Sequence, residues 1–200
     1  MTLDMRTNFL PAAMAVALLT FGGCTGATVM PTTYTTYDAK DGSFQIECPA
    51  GWEVTTGGSR GYAWAKFTSG NAEIAVDTNL TGSLMADIAK SGIAIVNMGE
   101  REAAPAVEKV HESEKEAFVQ EWGVTELPPV AVATHLGDSR KSEFTGAGVI
   151  GGPFHGYRVT ALSRDKRVRV ICRCSESQWQ AIQPAFDRMI ASLTIGTGSF

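Results

Sequence analysis

Residues 157–174, YRVTALSRDKRVRVICRC, decide the fold class. Tyr157, Val159 and Ala161 alternate with polar neighbours, and Val168, Val170 and Cys172 repeat the pattern after a charged turn region at Arg164–Arg167. A period of two places these apolar side chains on one face, so the segment predicts an antiparallel hairpin with one buried side. Directly after it, Trp179, Ile182, Phe186, Met189, Ile190 and Leu193 recur at helical spacing, behind Ser175 and Gln178 as a capping box. A half-buried hairpin followed by an amphipathic helix predicts an α+β domain, an antiparallel β-sheet with helices packed on its faces.

Further upstream, Tyr62–Phe67 and Ala72–Thr78 read as two more strands, joined through the tight-turn residues Ser69-Gly70-Asn71. Phe44, Ile46 and Cys48 alternate up to Pro49, and Trp52 with Val54 continues the ladder after a Pro-Ala-Gly turn. Gly57–Gly61 then marks a loop. Ser83 is the expected N-cap of a helix from Leu84, with Ile88 at helical spacing, and the chain reads as mostly helical to Trp122. Pro105 breaks that helix or opens a second one, whose buried stripe would be Val107, Val110, Phe118 and Trp122. After Leu127-Pro128-Pro129 a less regular stretch leads to a strand candidate at Arg140–Ala147.

The segment Phe44-Gln45-Ile46-Glu47-Cys48-Pro49-Ala50-Gly51-Trp52-Glu53-Val54, followed by strands, a helical middle, a late hairpin and a closing helix, resembles the PsbP-like fold. That superfamily includes an extrinsic photosystem II subunit, a Ran-binding import factor and many bacterial lipoproteins. The resemblance implies an α/β/α sandwich over residues 37–195, and it brings no shared catalytic residues. Membership of such a fold favours interaction over reaction.

The chain has 200 residues, of which 44% are hydrophobic and 19% charged, enough for one domain with a real core. Its formal charge of -4 argues against a nucleic-acid partner. The apolar run Phe9–Phe21 is shorter than the roughly 20 residues a membrane span needs, and it ends in Gly22-Gly23-Cys24. Residues 1–23 therefore read as a signal peptide. The ending resembles a lipobox, which implies diacylation (palmitate-type chains) of Cys24 and two buried chains for stable anchoring. The alternatives are ordinary cleavage leaving Cys24 free, or cleavage near Ala27. The Thr-rich stretch to Thr36 completes a tether at 24–36, the domain occupies 37–195, and 196–200 form a tail. Thr25, where Asp would retain a lipoprotein at the inner membrane, suggests the periplasmic face of an outer membrane if the organism has two.

Two glycine patterns fail on context. Gly146-Ala147-Gly148-Val149-Ile150-Gly151 fits a dinucleotide fingerprint, but a polar stretch precedes it and Gly152-Pro153 forbids the following helix. Gly57-Gly58-Ser59-Arg60-Gly61 fits a nucleophile elbow, yet a strand follows where a helix is needed. Neither a cofactor nor a metal is expected. His111 reads as a solvated helix residue, and Glu108, Glu112 and Glu116 as one solvated acidic helix face. Apart from Cys24, the cysteines are Cys48, Cys172 and Cys174. On one strand Cys172 and Cys174 would have Cα atoms about 7 Å apart, too far for easy bridging. A disulfide between Cys48 and Cys172 or Cys174 is the expectation, if their strands are neighbours.

The most distinctive charged feature is the row Arg167, Arg169 and Arg173, joined across the hairpin by Arg158. Alternation puts these arginines on the outer face. They read either as the solvated side of a half-buried sheet or as a docking surface for an acidic protein, acidic polysaccharide or anionic lipid. The sequence thus points to a non-catalytic, lipid-anchored envelope protein that binds or scaffolds. The rival is an envelope enzyme whose site gathers His135, Asp138 and His155 beside the 146–155 glycine loop.

Overall fold

A computed structural model describes residues 31–59, 62–80, 106–148, 152–162 and 166–196. The described chain opens with two strands, β1 (Tyr34–Asp38) and β2 (Gln45–Pro49), paired antiparallel as a separate ribbon. Next come β3 (Glu53–Ser59), β4 (Tyr62–Ser69) and β5 (Ala72–Leu80). Two short helices, α1 (Ala106–Ser113) and α2 (Lys115–Trp122), precede β6 (Val124–Glu126), β7 (Val130–Thr134), β8 (Gly137–Gly148), β9 (Gly152–Leu162) and β10 (Lys166–Ser175). A 3-10 turn at Glu176–Gln178 leads into α3 (Trp179–Ala191). The main sheet is antiparallel with order β3-β4-β5-β10-β9-β8-β6, and β7 pairs with the same edge of β8.

The late hairpin takes the register its alternation predicts. Val168 faces Ala161, Val170 faces Val159 and Cys172 faces Tyr157, all buried on one side. Phe67 faces Ile74 and Ala65 faces Val76 on that same side. Against this surface α3 lays Trp179, Ile182, Phe186, Met189 and Ile190, while the ribbon adds Phe44, Ile46 and Cys48. Burying each Phe, Ile, Val or Met side chain contributes roughly 1.5–3 kcal/mol, so this layer is the principal core. Ser175 Oγ donates to Gln178 Oε1 at 2.9 Å where the capping box was expected. Reciprocal backbone bonds between Gln45 and Thr194, at 2.9 and 3.0 Å, tie the end of this segment to the ribbon.

The opposite face carries α1 and α2 over β8 and β9. Val107, Val110 and Phe118 are buried as expected, and Trp122 is half-buried. The helix does not run unbroken to Trp122. Ser113 Oγ bonds back to the Val110 carbonyl at 2.8 Å, and Glu114 separates the two helices. Such back-bonding by serine bends or interrupts helices. Gly123 ends α2 at φ 60°, its N–H on the Val119 carbonyl at 2.9 Å, a left-handed cap that glycine adopts without strain.

Several boundaries differ from the sequence reading. Tyr34, Thr35 and Thr36, assigned to the tether, pair with Pro49, Cys48 and Glu47, because β-branched threonines form strand once a partner strand is present. Gly196, assigned to the tail, lies against Asp38 and the Phe44 carbonyl. The irregular stretch after Pro129 contains β7, and the strand candidate at Arg140–Ala147 extends to the twelve residues of β8. The helix expected from Leu84, the leader with Cys24, and residues 197–200 lie outside the described residues.

Candidate functional site

Beneath α1 and α2 the sheet face holds a sealed polar cluster. Arg158, on β9, is 1% exposed. Its Nε donates to Glu126 Oε1 at 2.7 Å, its Nη2 to Glu126 Oε2 at 3.1 Å and its Nη1 to the His111 carbonyl at 2.9 Å. The bidentate fork suits a buried carboxylate, and the guanidinium also stands 5.4 Å from the Phe118 ring centroid. His111 bonds Thr160 Oγ1 through Nδ1 at 2.9 Å and Ser142 Oγ through Nε2 at 2.8 Å. Burial, with the nearby Arg158, Lys115 and Arg140 charges, pushes the His111 pKa down to about 3. Its imidazole is therefore neutral, and Glu126, 4.0 Å from Nε2, gives its charge to Arg158.

This placement corrects two expectations. His111 is fully buried, because α1 turns it onto the sheet where two hydroxyls complete its hydrogen bonds. Arg158 does share a face with Arg167, Arg169 and Arg173, as the register across β9 and β10 requires. That face is not an open cationic stripe, since helices cover Arg158 and acidic neighbours meet the rest. Arg167 pairs with Glu114 and Asp77, Arg169 Nε with Asp77 at 2.8 Å and Arg173 Nε with Glu73 at 2.9 Å. Lys66 shares Glu73 at 2.7 Å. Arg173 is further held 4.8 Å from the Trp122 ring centroid and 5.6 Å from that of Phe154.

The other sequence candidates are dispersed. His155 lies between Glu143 at 2.7 Å and Glu176 at 3.1 Å, stacked on Trp179 at 3.9 Å. It faces Thr145, whereas Asp138 and His135 stand at the opposite end of β8, about 23 Å away at strand rise. No pocket brings the three together among the described residues. The two glycine motifs fall at the β3–β4 and β8–β9 hairpins, with strands on both sides. Among the described residues no cluster of His, Cys, Asp and Glu can hold a metal.

Cys48, Cys172 and Cys174 are all buried free thiols, in place of the expected bridge. Cys48 lies on the ribbon, its Sγ 3.5 Å from Thr35 Oγ1, whereas Cys172 and Cys174 lie on a central strand of the main sheet. The strands are therefore not paired neighbours, the condition the bridge required. Burial raises the pKa of both Cys172 and Cys174, the latter to about 11.

Sequence reasoning missed the second feature of the surface, a cleft of about 510 Å³ between the Ala39–Asp41 turn and the adjoining ends of β3 and β4. Tyr37, Tyr62 and Trp64 line it, with Lys40, Asp41 and Ser59 as polar neighbours. Trp64 faces Gly57 across the strand pair, and a Cβ on that glycine would stand 2.6 Å from three indole atoms. A side chain at position 57 would therefore have to displace the indole ring. Burial raises the Tyr37 pKa, so its phenol is protonated, with Thr56 as hydrogen-bond partner. The available signal was the aromatic pair Tyr62 and Trp64 beside Gly57-Gly58.

Layered around one antiparallel sheet, with α3 and a ribbon on one side and two short helices on the other, the chain has a PsbP-like fold. The solution structure of cyanobacterial PsbP (CyanoP) from Synechocystis sp. PCC 6803 matches at TM-score 0.55 and 13% identity, covering 88% of this chain and 98% of that one. LpqN of Mycobacterium tuberculosis, described as involved in cell envelope biogenesis, matches at TM-score 0.44 and 9% identity over 82% of this chain and 91% of its own. No family model matches the chain, and no curated protein does.

Proposed function

We propose that this chain is an exported, non-catalytic binding or scaffold domain, held at the cell envelope by lipid on Cys24. The observation that carries the non-catalytic part is the disposition of its acid–base groups. His111 is sealed between two hydroxyls, His155 between two carboxylates, and His135 with Asp138 stands at the far end of β8. General acid–base chemistry needs such groups within about 3 Å of one reacting atom, and among the described residues these three histidines and Asp138 do not converge on one. The envelope part rests on the apolar leader and the Phe21-Gly22-Gly23-Cys24 ending. The row Arg167, Arg169 and Arg173 is neutralised by Asp77, Glu73 and Glu114, so recognition of an acidic partner by that row is not the favoured mode.

Intact mass and membrane fractionation of the full chain, expressed in a lipoprotein-processing host beside Cys24→Ala, test the tether. Membrane association with a diacyl-sized mass increase, both lost in the variant, is the expected result. A soluble, unacylated product from both chains would overturn it.

A further inference from the structure

We infer that β3 is a self-association edge, along which two copies of this chain join their sheets by antiparallel pairing of β3 with β3. This strand ends the order of the main sheet, and all of its residues are exposed. Only residues 60–61 separate Ser59 from its partner Tyr62, and the closing pair of such a two-residue hairpin is hydrogen-bonded. Alternation along the ladder then turns the N–H and C=O groups of Glu53, Thr55, Gly57 and Ser59 toward β4, and those of Val54, Thr56 and Gly58 away from it. The next hairpin gives the same parity. It closes at Ser69 and Ala72, so Thr68 turns its groups toward β3, where it faces Glu53. Among the described residues the three outward positions take no backbone hydrogen bond from another element. The opposite edge of the sheet is shorter, since Pro129 lacks an N–H and the His135 N–H is held by the Leu193 carbonyl at 3.0 Å.

The sequence of β3 fits a copy of itself. A two-fold axis at Thr56 sets Thr56 opposite Thr56 and Val54 opposite Gly58, so every outward N–H and C=O of both strands finds a partner. Between those pairs Thr55 falls opposite Gly57. Each branched side chain at positions 54 and 55 thus meets a glycine, and the two Thr56 form a cross-strand pair of the kind that stabilises sheets. The half-buried Trp64 indole lies against Gly57, and Thr55 of the second copy comes beside it. Glu53, the strand's only charge, falls opposite Ser59, so no like charges meet. A slip of two residues would leave either Val54 or Gly58 without a partner inside β3. An extended segment of another protein would gain the backbone bonds but not this matching of branched residues to glycines. Lysine and proline, which ordinarily guard an exposed edge, are both missing from the strand.

The test is sedimentation velocity of the full chain carrying Cys24→Ala, over concentrations up to about 500 µM. A joint of one strand pair is a small interface, so the expected result is a reversible monomer–dimer equilibrium with a Kd below about 100 µM. Amide exchange followed by NMR over the same range should slow about threefold or more at Val54, Thr56 and Gly58, and less at Thr55 and Gly57, which already bond β4. Thr56→Pro removes the central outward N–H without breaking the β4 ladder, and should weaken the dimer at least about tenfold. Val54→Lys, at a position 43% exposed, should do the same, and it keeps the test decisive if the proline variant fails to fold. A chain that stays monomeric throughout, or a Kd unchanged in Val54→Lys, would overturn the interface. So would a dimer whose concentration-dependent protection falls on β7 and not on β3. Full protection of the three outward amides at the lowest concentration would overturn it too, because the chain's own residues would then cover the edge. A monomer that is lipidated at Cys24 in the wild-type chain loses this interface and keeps the envelope reading.

Discussion

Burying the Arg158 guanidinium is tolerable because Glu126 meets it with both oxygens and the His111 carbonyl takes another N–H. Removing one partner leaves the other charge in an apolar enclosure. Glu126→Gln should therefore destabilise the fold by about 3–5 kcal/mol in urea denaturation, whereas the double variant Arg158→Met, Glu126→Leu should recover most of that loss. A single variant as stable as wild type would show the pair to be solvated. His111 adds a pH dependence with a definite sign. Its folded pKa, about 3, lies below the ordinary value of 6.5, so the unfolded chain binds the proton first. The contribution is complete above pH 6.5 and is lost as pH falls from 6.5 toward 3. The expected slope is about 1.4 kcal/mol per pH unit from this residue across pH 6 to 4. Denaturation midpoints at several pH values, compared with His111→Gln, check it; equal slopes in both chains would place the dependence elsewhere.

At the scale of elements, α3 is the piece whose removal should cost the most. Phe186 is completely buried, with Trp52 at 6.4 Å and Trp179 at 6.3 Å between ring centroids. Phe186→Ala should cost about 3–5 kcal/mol, and amide exchange should speed up in β1 and β2, which pack on α3 and join the segment after it through the Gln45–Thr194 bridge. Protection of β1 and β2 unchanged in the variant would refute that dependence. The α3 stripe and the late hairpin were legible because each has one wet and one dry face, and their periods of 3.6 and 2 survive in the sequence. The strands β6 and β7 were not, since the pair is short, interrupted by Pro128-Pro129 and exposed at Leu127 and Val130. The helix-covered face misled for a related reason. Alternation fixes which residues share a side of β9 and β10, but it cannot tell water from an overlying helix. Arg158 and His111 thus read as solvated, and Glu126, their partner on β6, carried no periodic signal. The cleft escaped notice because it joins the Ala39–Asp41 turn to a hairpin, a proximity set by the tertiary fold alone.

For the molecule as a whole, the thiols link compartment to fold. If the chain is exported as proposed, it meets oxidising conditions, in which accessible cysteines pair. Here Cys48, Cys172 and Cys174 are enclosed between the sheet, α3 and the ribbon, and burial holds the pKa values of Cys172 and Cys174 above the ordinary thiol value. The thiolate is the reactive form, so these two resist alkylation and exchange on both accessibility and protonation grounds. The Cys24→Ala chain, exported and then treated with maleimide at pH 7.5, should take up no label while folded. In denaturant it should take up one label on each of the three remaining cysteines. A product two hydrogens lighter that accepts a single label would mean instead that Cys48 has bridged to the central strand. Such a bridge would need the ribbon to shift against β10, because the two are not paired.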